Sequence, residues 1–560
     1  MNNRSDNKTA SGTETEAPEP ITRGKMGRRA FLKGALATAP LLIAGPTILT
    51  PRKSSANGSF PTGMGPSTTT EPYLIPSIPG VKFVSLLTVG DVIDGYRMVG
   101  IPDGLGLFNS GRGDFTVIMN HELSGTAGTV RKHGSKGSFV SRWIIDRSSL
   151  KVRKGQDFTQ SPSDVLTWDS ATKQYVEGTT VWQRFCSGDL AKAGAFRYHG
   201  LGTNERIYLT GEENSIVQSN LLVDQGRAWG RIATGEHSGE AIELPRLGRM
   251  AFENCVASPY PQEKTIVALL DDSSISTAPT INSNAPSEVF FYIGRKQRHG
   301  YPIEQAGLTN GQLYGLTVSL KGQPVTEESN DFGFGTAATG YVGEAKFGLT
   351  ELGDVTGLTA VEIETLAISQ GVFRMQRVED GAWDPSRKNN FYFVTTASLT
   401  ANCRLWHLRF DNIEHPEKGG KIEILLRGDE GQGMLDNVTI DHRGRILMDE
   451  DPGGNNRLAK IWLYDIDSKQ FIQVGEHNPK FFDPSILNNS AFLTNDEESS
   501  GIIDAEKILG RGWFLLDVQV HKANPDPELV EGGQLLAMYV DPRIGGHDRD
   551  RDCDYQEDDE

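Results

Sequence analysis

The sequence predicts an all-β fold and, within that class, a six-bladed β-propeller with irregular insertions. Three observations support this prediction. Short apolar runs bounded by turn residues recur along the chain, glycine is abundant at 63 residues, and no long segment keeps a 3.6-residue period with caps at both ends. Several strands per unit, repeated around one axis, are the sequence form of a propeller. Other all-β folds are the alternative, although a sandwich would not explain why polar residues recur at the same end of each run.

Six of these runs share one plan, in which a β-branched or aromatic stretch ends at an acid or a histidine. The runs span residues 115–122, 207–213, 266–272, 391–396, 446–451 and 513–521. The fourth run is the exception, because it ends in Thr395 and Thr396. If the strands converge in space, their carboxylates converge too, and clustered carboxylates repel one another unless cations hold them. The pattern therefore predicts a metal site together with a repeated fold.

The N-terminus resembles an export signal. Residues Gly27–Lys33 form a twin-arginine motif, a modest apolar stretch follows, and Ser54-Ser55-Ala56 is a small-residue cleavage site. A chance arginine pair before a buried helix is the alternative, but the charge, the apolar run and the cleavage site occur in order. The stretch is short of the ~20 residues that a spanning helix needs, so we predict no stable membrane insertion. The expected location is periplasmic or extracellular, after passage through the twin-arginine export machinery.

These features divide the chain into four predicted segments. They are a signal peptide over 1–56, a flexible lead-in over 57–80, the propeller domain over 81–542 and an acidic tail over 543–560. Within the propeller domain, Gly343–Ser369 is the best candidate for a helical or irregular insertion.

The composition narrows the classes of partner. The net charge of -17 and the pI of about 5.2 disfavour nucleic acid as a partner, because binding to phosphates needs Lys and Arg to replace counterions. Solubility and cation binding both remain open as explanations of the acid excess. The four cysteines include no Cys-x-x-Cys pair, which disfavours a zinc ribbon or a thioredoxin-like site.

Individual site candidates have ordinary explanations as well. Two solvated acids on a surface turn would account for Glu212-Glu213 or for Asp271-Asp272 taken alone, and only the recurrence of such acids favours a shared cavity. Cys186 is either a small buried residue or a thiolate ligand to a transition metal. Arg377 precedes Glu379, and this pair is either a local ion pair or a guanidinium fork for a phosphoryl group.

Several motifs together resemble the PhoX alkaline phosphatase family. Besides the twin-arginine leader, the motifs are Asn120-His-Glu122, Cys186-Ser-Gly188, Leu209-Thr-Gly-Glu-Glu-Asn214, Gly248-Arg-Met-Ala-Phe-Glu-Asn254, Leu270-Asp-Asp272, Arg377-Val-Glu-Asp380, Asp436-Asn437 and Glu498-Ser-Ser-Gly501. The resemblance is spread over most of residues 80–542. The chain departs from the family pattern after Cys186-Ser-Gly188, where Asp189–Gly194 follows, and this leaves the range of substrates open.

The resemblance implies an exported phosphatase that hydrolyses small phosphate esters at a cluster of Ca2+ and Fe3+ in a six-bladed propeller. By motif match, the direct ligands would be Cys186, Glu253, Asp271 and Glu379, with Glu212 or Glu213 nearby. The matched motifs add four more acids to the predicted metal ligands: Glu122, Asp272, Asp436 and Glu498. Arg377 and Glu379 are the predicted catalytic residues, with Arg377 holding the phosphate.

Two alternatives to a phosphatase stay open. A different metal-dependent hydrolase, acting on lactones or sugars, would use calcium and carboxylates without a thiolate or iron. A propeller that only binds protein or glycan would leave its acids solvated and dispersed. Because a fold does not fix a function, the arrangement of the site has to separate these possibilities. The natural ester and the oligomeric state are not predicted.

Overall fold

The computed structural model describes residues 62–214, 226–272 and 287–545, and every structural statement below concerns these residues. The predicted signal peptide lies outside them, as do the first part of the lead-in and most of the predicted acidic tail. No described helix has the length and apolar character that a membrane span requires.

Strands account for most of the regular structure, and five of them precede the first large sheet. These are β1 (Gly63–Met64), β2 (Leu74–Pro76), β3 (Val81–Thr88), β4 (Val92–Ile93) and β5 (Tyr96–Arg97). The first large sheet is antiparallel and follows chain order. Its strands are β6 (Pro102–Gly111), β7 (Asp114–His121), β8 (Phe139–Asp146) and β9 (Val152–Asp157).

The second sheet has the spatial order β12-β15-β16-β17-β10-β11, with β13 and β14 paired separately. The bounds of these strands are β10 (Val165–Asp169), β11 (Gln174–Glu177), β12 (Phe185–Leu190), β13 (Arg197–Tyr198), β14 (Leu201–Gly202), β15 (Ile207–Glu212), β16 (Ala228–Ile232) and β17 (Ala241–Glu243).

The third and fourth runs of strands are joined into one sheet, because β23 pairs with both β21 and β28. The third run comprises β18 (Phe252–Ala257), β19 (Lys264–Asp271), β20 (Ser287–Arg295), β21 (Gln312–Leu320), β22 (Gln323–Val325), β23 (Glu344–Gly353) and β24 (Arg374–Met375). The fourth comprises β25 (Val378–Trp383), β26 (Asn390–Thr395), β27 (Arg404–Phe410) and β28 (Gly420–Leu426).

Two further runs complete the chain. The fifth comprises β29 (Leu435–Ile440), β30 (Arg445–Glu450), β31 (Lys460–Asp465) and β32 (Phe471–His477). The sixth comprises β33 (Glu497–Asp504), β34 (Trp513–Val520) and β35 (Gly532–Val540). The described α-helices are α1 (Pro302–Gln305), α2 (Ala360–Ser369), α3 (Pro479–Phe482) and α4 (Glu506–Leu509).

The predicted insertion around Gly343–Ser369 contains one strand and one helix, β23 and α2. The helix starts where the sequence places a capping box: the Thr359 side chain accepts the Glu362 N–H, and the Glu362 carboxylate accepts the Thr359 N–H.

One strand from each run lies closest to the centre of the molecule, and we call these six the inner strands: β6, β12, β18, β25, β29 and β33. Each inner strand contacts the next, and β33 contacts β6, so the contacts close into a ring. Each inner strand pairs in antiparallel fashion with a later strand of its own run, and we call these the second strands: β7, β15, β19, β26, β30 and β34. All six runs that the sequence singled out are second strands.

Side-chain alternation along the strands fills the spaces between neighbouring sheets. On β30, Ile446 and Met448 pack toward the preceding sheet, whereas Leu447 packs toward the following one. On β34, Phe514 faces the fifth run and Leu515 faces the first. Because successive side chains of a strand point to opposite faces, a sheet between two others buries both faces. This explains why the second strands read as continuous apolar runs.

The two ends of the described chain meet in the last sheet. β3 pairs in antiparallel register with β35, so the N-terminal part supplies an outer strand to the sixth run. β2 pairs in the same way with β32 of the fifth run. The predicted all-β propeller fold is confirmed. The number of blades remains a prediction, because the third and fourth runs form one continuous sheet.

Candidate metal centre

The second residue of every inner strand carries a potential metal ligand. These residues are Asp103, Cys186, Glu253, Glu379, Asp436 and Glu498, and all of them are buried. Since the inner strands form a ring, equivalent positions on them meet around one axis. The ring therefore collects five carboxylates and one thiol at the same end of the fold.

Three overlapping groups show how close these donors lie. The groups are Asp103–Glu122–Cys186, Cys186–Glu213–Glu253 and Glu253–Glu379–Asp436, and within each group the ligand atoms lie within 4.8 Å of one another. Because neighbouring groups share a member, the donors form one continuous arc. We call the six inner-strand donors together with Glu122 and Glu213 the axial cluster.

Irregular pairing directs several of these side chains toward the axis. The register between inner and second strand shifts across Cys186, Glu253, Glu379 and Asp436. A bulge of this kind re-aims a side chain that regular pairing would point elsewhere.

The backbone is also strained where the chain enters the ring. The residue immediately before the inner strand is a non-glycine with positive φ in four cases: Ile101 (51°), Arg184 (41°), Arg377 (58°) and Met434 (51°). Such conformations are unfavourable for side-chain-bearing residues, above all for a β-branched one, and they concentrate at functional sites.

The second strands deliver acids to the same edge because of their antiparallel pairing. Phe185 at the start of β12 lies opposite Glu212 at the end of β15, so the next residue, Glu213, reaches the axis. Glu122, just after β7, reaches the group of Asp103 and Cys186 in the same way. The acids at the ends of the predicted runs are therefore brought beside the inner-strand donors.

Two predicted ligands lie elsewhere. Glu212 accepts hydrogen bonds from the Arg227 Nε at 3.0 Å and Nη2 at 2.9 Å. Asp271 accepts the Ala251 N–H at 3.0 Å and groups with other acids away from the axial cluster. Adjacent residues at a strand end point to opposite faces, so Glu213 reaches the axis whereas Glu212 does not. The structure therefore does not bring Glu212 and Asp271 together with the axial donors, and their predicted roles as metal ligands stay predictions.

Arginine side chains cover the acids at two equivalent places. The Arg184 Nη2 lies 2.6 Å from the Glu122 Oε1 and also binds Glu213. The Arg377 Nη2 lies 2.7 Å from the Asp272 Oδ2 and 3.1 Å from the Glu379 Oε1. About 40% of each arginine side chain is exposed, whereas its acidic partners are largely buried, so the guanidinium groups lie between the acids and solvent. Asp272, a predicted metal ligand, is thus an arginine partner here.

The last inner strand is connected to the first by an amide. The Gln519 Nε2 donates to Asp103 at 2.8 Å, to Glu122 at 3.1 Å and to Glu498 at 3.2 Å. The His521 Nε2 lies 3.2 Å from the other Glu498 oxygen. Burial opposes protonation of His521, but its bonds to Glu498 and Glu531 raise its pKa to about 11. His521 is therefore a local positive charge beside the acids.

A chain of hydrogen bonds positions Glu253 from behind. The Ser187 Oγ donates to the Glu253 Oε1 at 2.7 Å, and the Asn437 Nδ2 donates to Ser187 at 2.6 Å. The Gly501 N–H in turn donates to the Asn437 Oδ1 at 2.8 Å. Four inner strands are linked in this way, which fixes the direction of a ligand through its neighbours.

The electrostatics of the axial cluster favour binding of protons or cations. Burial raises the pKa values of Glu253, Glu379 and Asp436 well above the ordinary range, and neighbouring carboxylates raise them further. Burial also raises the pKa of the Cys186 thiol, with added repulsion from Asp103 and Glu253. The pKa of Glu498 rises to about 8 for the same reasons. A cation would remove this repulsion and let the donors ionise together.

Sequence reasoning missed several members of the site. Asp103, Arg184, Gln519 and His521 were not among the predicted ligands or catalytic residues, although His521 closes one of the six runs. The inner strand β6 begins with Pro102, Asp103 and Gly104, and this start does not have the pattern of an apolar run. The missing signal was the spacing to the next strand, since the inner strand directly precedes the second strand in several runs.

The fold and these donors define a β-propeller with a buried oxygen- and sulfur-lined centre at one end of its ring. The structure of Pseudomonas fluorescens PhoX in complex with vanadate, a transition state analogue, is similar at a TM-score of 0.55 and 13% identity, covering 85% of this chain and 97% of that one. At this level of identity, the similarity shows a PhoX-like fold and nothing finer.

Two other solved structures match at lower TM-scores. Chaetomium thermophilum Sqt1, bound to the N-terminus of ribosomal protein L10, has a TM-score of 0.36 and 7% identity, covering 81% of this chain and 99% of that one. A putative 6-phosphogluconolactonase from Bacteroides uniformis has a TM-score of 0.30 and 9% identity, and the match covers 73% of this chain and 79% of that one. No protein-family model matches the chain, and no curated protein matches it in sequence.

Proposed function

We propose that this protein is an exported metal-dependent phosphatase that hydrolyses small phosphate esters at the axial cluster. The observation that carries the proposal is the convergence of a thiol and several carboxylates from six equivalent strand positions, with two arginines between them and solvent. The vanadate in the PhoX structure is described as a transition state analogue, and vanadate is a mimic of phosphate in transfer. This supports phosphate chemistry as the first function to test.

The donor set fits a mixed metal cluster. Carboxylate oxygens are the ligands that Ca2+ prefers, and a thiolate is the softer ligand that suits a transition metal such as Fe3+. Cys186, Glu213 and Glu253 would hold the softer ion, while Glu379 and Asp436 would extend the site toward a hard ion. Bound cations would supply charge stabilisation for the phosphoryl group and lower the pKa of an attacking water.

Arg184 and Arg377 would supply the hydrogen-bond donors that hold the phosphoryl group of the substrate. Each guanidinium has planar donors that match two oxygens of a phosphoryl group. Arg377 already forms two contacts with Asp272, with Nε at 3.1 Å and Nη2 at 2.7 Å. We propose that Asp272 and Glu379 hold Arg377 in place so that its remaining donors face the substrate. Arg184 occupies the equivalent place before β12, and its guanidinium would offer a second fork of donors to the substrate.

The test combines metal analysis with activity. Purified protein should contain iron and calcium and should hydrolyse p-nitrophenyl phosphate. The Cys186→Ala variant should lose iron and most of the activity together, because the thiol is the soft donor in the proposed ligand set. A lactone or sugar substrate tested in parallel separates the competing class of hydrolase.

Cys255→Ala is the matched control. Cys255 is fully buried on the same inner strand as Glu253, yet its side chain packs in the apolar core between two sheets. This variant should keep its iron and its activity. Full iron content and full activity in Cys186→Ala would remove the thiol from the site, and a native protein with neither metal would end the proposal.

A further inference from the structure

A second group of buried acids lies outside the axial cluster. It consists of Asp271, Glu288 and Glu364, whose ligand oxygens lie within 4.8 Å of one another, and it shares no member with the three axial groups. We call this group the carboxyl triad. Asp271 ends β19, Glu288 is the second residue of β20, and Glu364 lies on the insertion helix α2.

Glu288 is the unusual member of the triad. It is fully buried, and among the residues that the structure describes no N–H or hydroxyl group donates to either of its carboxylate oxygens, although the Glu364 carboxyl group lies within hydrogen-bonding reach. One oxygen of Glu364 is likewise buried without a donor. Buried carboxylates are normally hydrogen-bonded or paired, because an isolated buried charge is strongly unfavourable. Oxygens that lack donors but converge on one point have the arrangement of cation ligands.

The nearest guanidinium does not account for the triad. Arg374 of β24 lies opposite Glu288 in the strand register, but its Nη2 contacts Glu327 at 3.1 Å. Burial raises the pKa values of Glu288 and Glu364. For Glu288, repulsion from Glu364 and Asp271 and a hydrogen bond to the Glu364 carboxyl group add to the rise, whereas the same hydrogen bond and Arg374 partly offset the rise for Glu364. Arg374 alone would not balance the charge of the triad with all three carboxyl groups ionised.

We propose that the carboxyl triad is a second binding site for a hard divalent cation, with calcium as the expected ion. All three side chains offer carboxylate oxygens, which Ca2+ prefers, and none offers the nitrogen or sulfur that favours a transition metal. Backbone carbonyls and water can complete the coordination that Ca2+ requires. The alternative is that the three carboxyls share protons without any metal.

The position of the triad gives this cation a structural task. Glu364 is the residue by which helix α2 reaches the triad, so a bound ion would fasten the insertion to β19 and β20. Two members also adjoin the axial site in sequence. Asp271 precedes Asp272, which binds Arg377, and Glu288 follows Ser287, whose Oγ accepts the Val378 N–H at 2.6 Å. A cation here would hold the supports of β25 in place.

The first experiment counts calcium ions per chain after equilibrium dialysis. We expect Glu364→Gln and Glu288→Gln each to hold one calcium fewer than the native chain, with unchanged iron. Glu362→Gln is the control, because it removes a charge from the same helix at an exposed position and glutamine still supports the capping box. Equal calcium in the native chain and in both triad variants would overturn the proposal in favour of shared protons.

The second experiment needs no change in the triad. Amide hydrogen exchange of residues 360–369 is measured with calcium and with a chelator, in a Glu253→Gln background that disables the axial cluster. Exchange of these amides requires the helix to open, and we expect that opening to release the ion from the triad. At a free calcium concentration about ten times the Kd of the triad, exchange should therefore be about tenfold slower. If calcium does not change the rate of amide exchange in α2, the proposed cation site is wrong. If the native protein carries no iron and hydrolyses no phosphate ester but calcium still slows exchange of α2, the proposed phosphatase fails and the second site stands.

Discussion

Arg377 and Arg184 occupy the same place in two strand pairs, just before an inner strand and with a positive φ. Arg184 touches Glu122 and Glu213, which each follow a second strand. Arg377 touches Asp272, which follows another second strand, and also Glu379 of its own inner strand. Burial opposes ionisation of Arg377, but Glu379 and Asp272 raise its pKa above the usual value, so it stays charged. A fixed, charged fork at the entrance to buried acids is suited to an anionic substrate.

Replacing Arg377 tests this role at the scale of one residue. Arg377→Ala should lower kcat/KM for p-nitrophenyl phosphate by ~10²–10³-fold, as expected for losing one donor to a transition state. Inhibition by vanadate should weaken in parallel. Arg377→Lys keeps the charge without the planar fork and should fall between Arg377→Ala and the native enzyme.

Arg387→Ala serves as the control for this series. Arg387 is half-exposed on the same run of strands, and its partner is Asp467 at 3.0 Å. Its removal should leave kcat/KM and vanadate inhibition unchanged. An Arg377→Ala enzyme with native kcat/KM would show that the guanidinium only balances the charge of its acidic neighbours.

At the scale of elements, the inner strands approach one another unusually closely near the thiol. A Cβ added at Gly104 would lie 2.4 Å from the Gly188 N and 2.5 Å from the Ser187 C, both in the backbone of β12. Glycine thus lets β6 approach β12 closely enough for the Asp103 Oδ2 to lie 3.4 Å from the Cys186 Sγ. The spacing of the donors depends on this missing side chain.

Gly104→Ala should therefore separate the two strands. We expect a loss of about 1–3 kcal/mol in the free energy of unfolding, typical of overpacking, together with weaker metal retention. Gly230→Ala on β16 is the control, because the nearest heavy atom to its added Cβ would be 3.4 Å away. Thermal unfolding and metal content should change only in the first variant, and native values in Gly104→Ala would contradict this explanation.

The elements also show which parts of the site the sequence could reveal. Second strands are buried on both faces, so they read as apolar runs, and the acids that follow them were visible. Inner strands begin with groups such as Asp103-Gly104 or Asp436-Asn437, which resemble turns. Cys186, Glu253, Glu379, Asp436 and Glu498 were therefore predicted from a family resemblance, whereas Asp103 was not predicted at all. The choice between Glu212 and Glu213 required the structure, because it depends on which of the two side chains points toward the axis at the end of β15.

At the scale of the whole molecule, the axial cluster ties stability to pH and to metal. Glu498 has its pKa raised to about 8, and His521 has its pKa raised to about 11. Without cations, the folded chain then binds more protons than the unfolded chain above the ordinary pKa values of ~4.3 for Glu and ~6.5 for His. Stability falls with rising pH wherever the folded state binds more protons.

We therefore expect the metal-depleted protein to lose stability between pH 6 and pH 8. In this window the contribution of Glu498 to the free energy of unfolding falls as the pH approaches 8. The contribution of His521 falls once the pH passes 6.5. Calcium should flatten the profile, because cations replace the protons that hold the acids together. Thermal unfolding with chelator and with calcium at both pH values checks this. If the Tm of the metal-free protein stays constant or rises between pH 6 and pH 8, the axial cluster does not bind extra protons in the folded state.

The pairing of β3 with β35 has a consequence for biogenesis. A chain leaving the ribosome carries its earliest donor, Asp103, long before its last, Glu498, and the circle closes only when residues 532–540 meet residues 81–88. The complete set of axial donors therefore exists only in a finished polypeptide. If the leader directs export as we predict, loading must occur either before the folded protein crosses the membrane or from the metal supply on the far side.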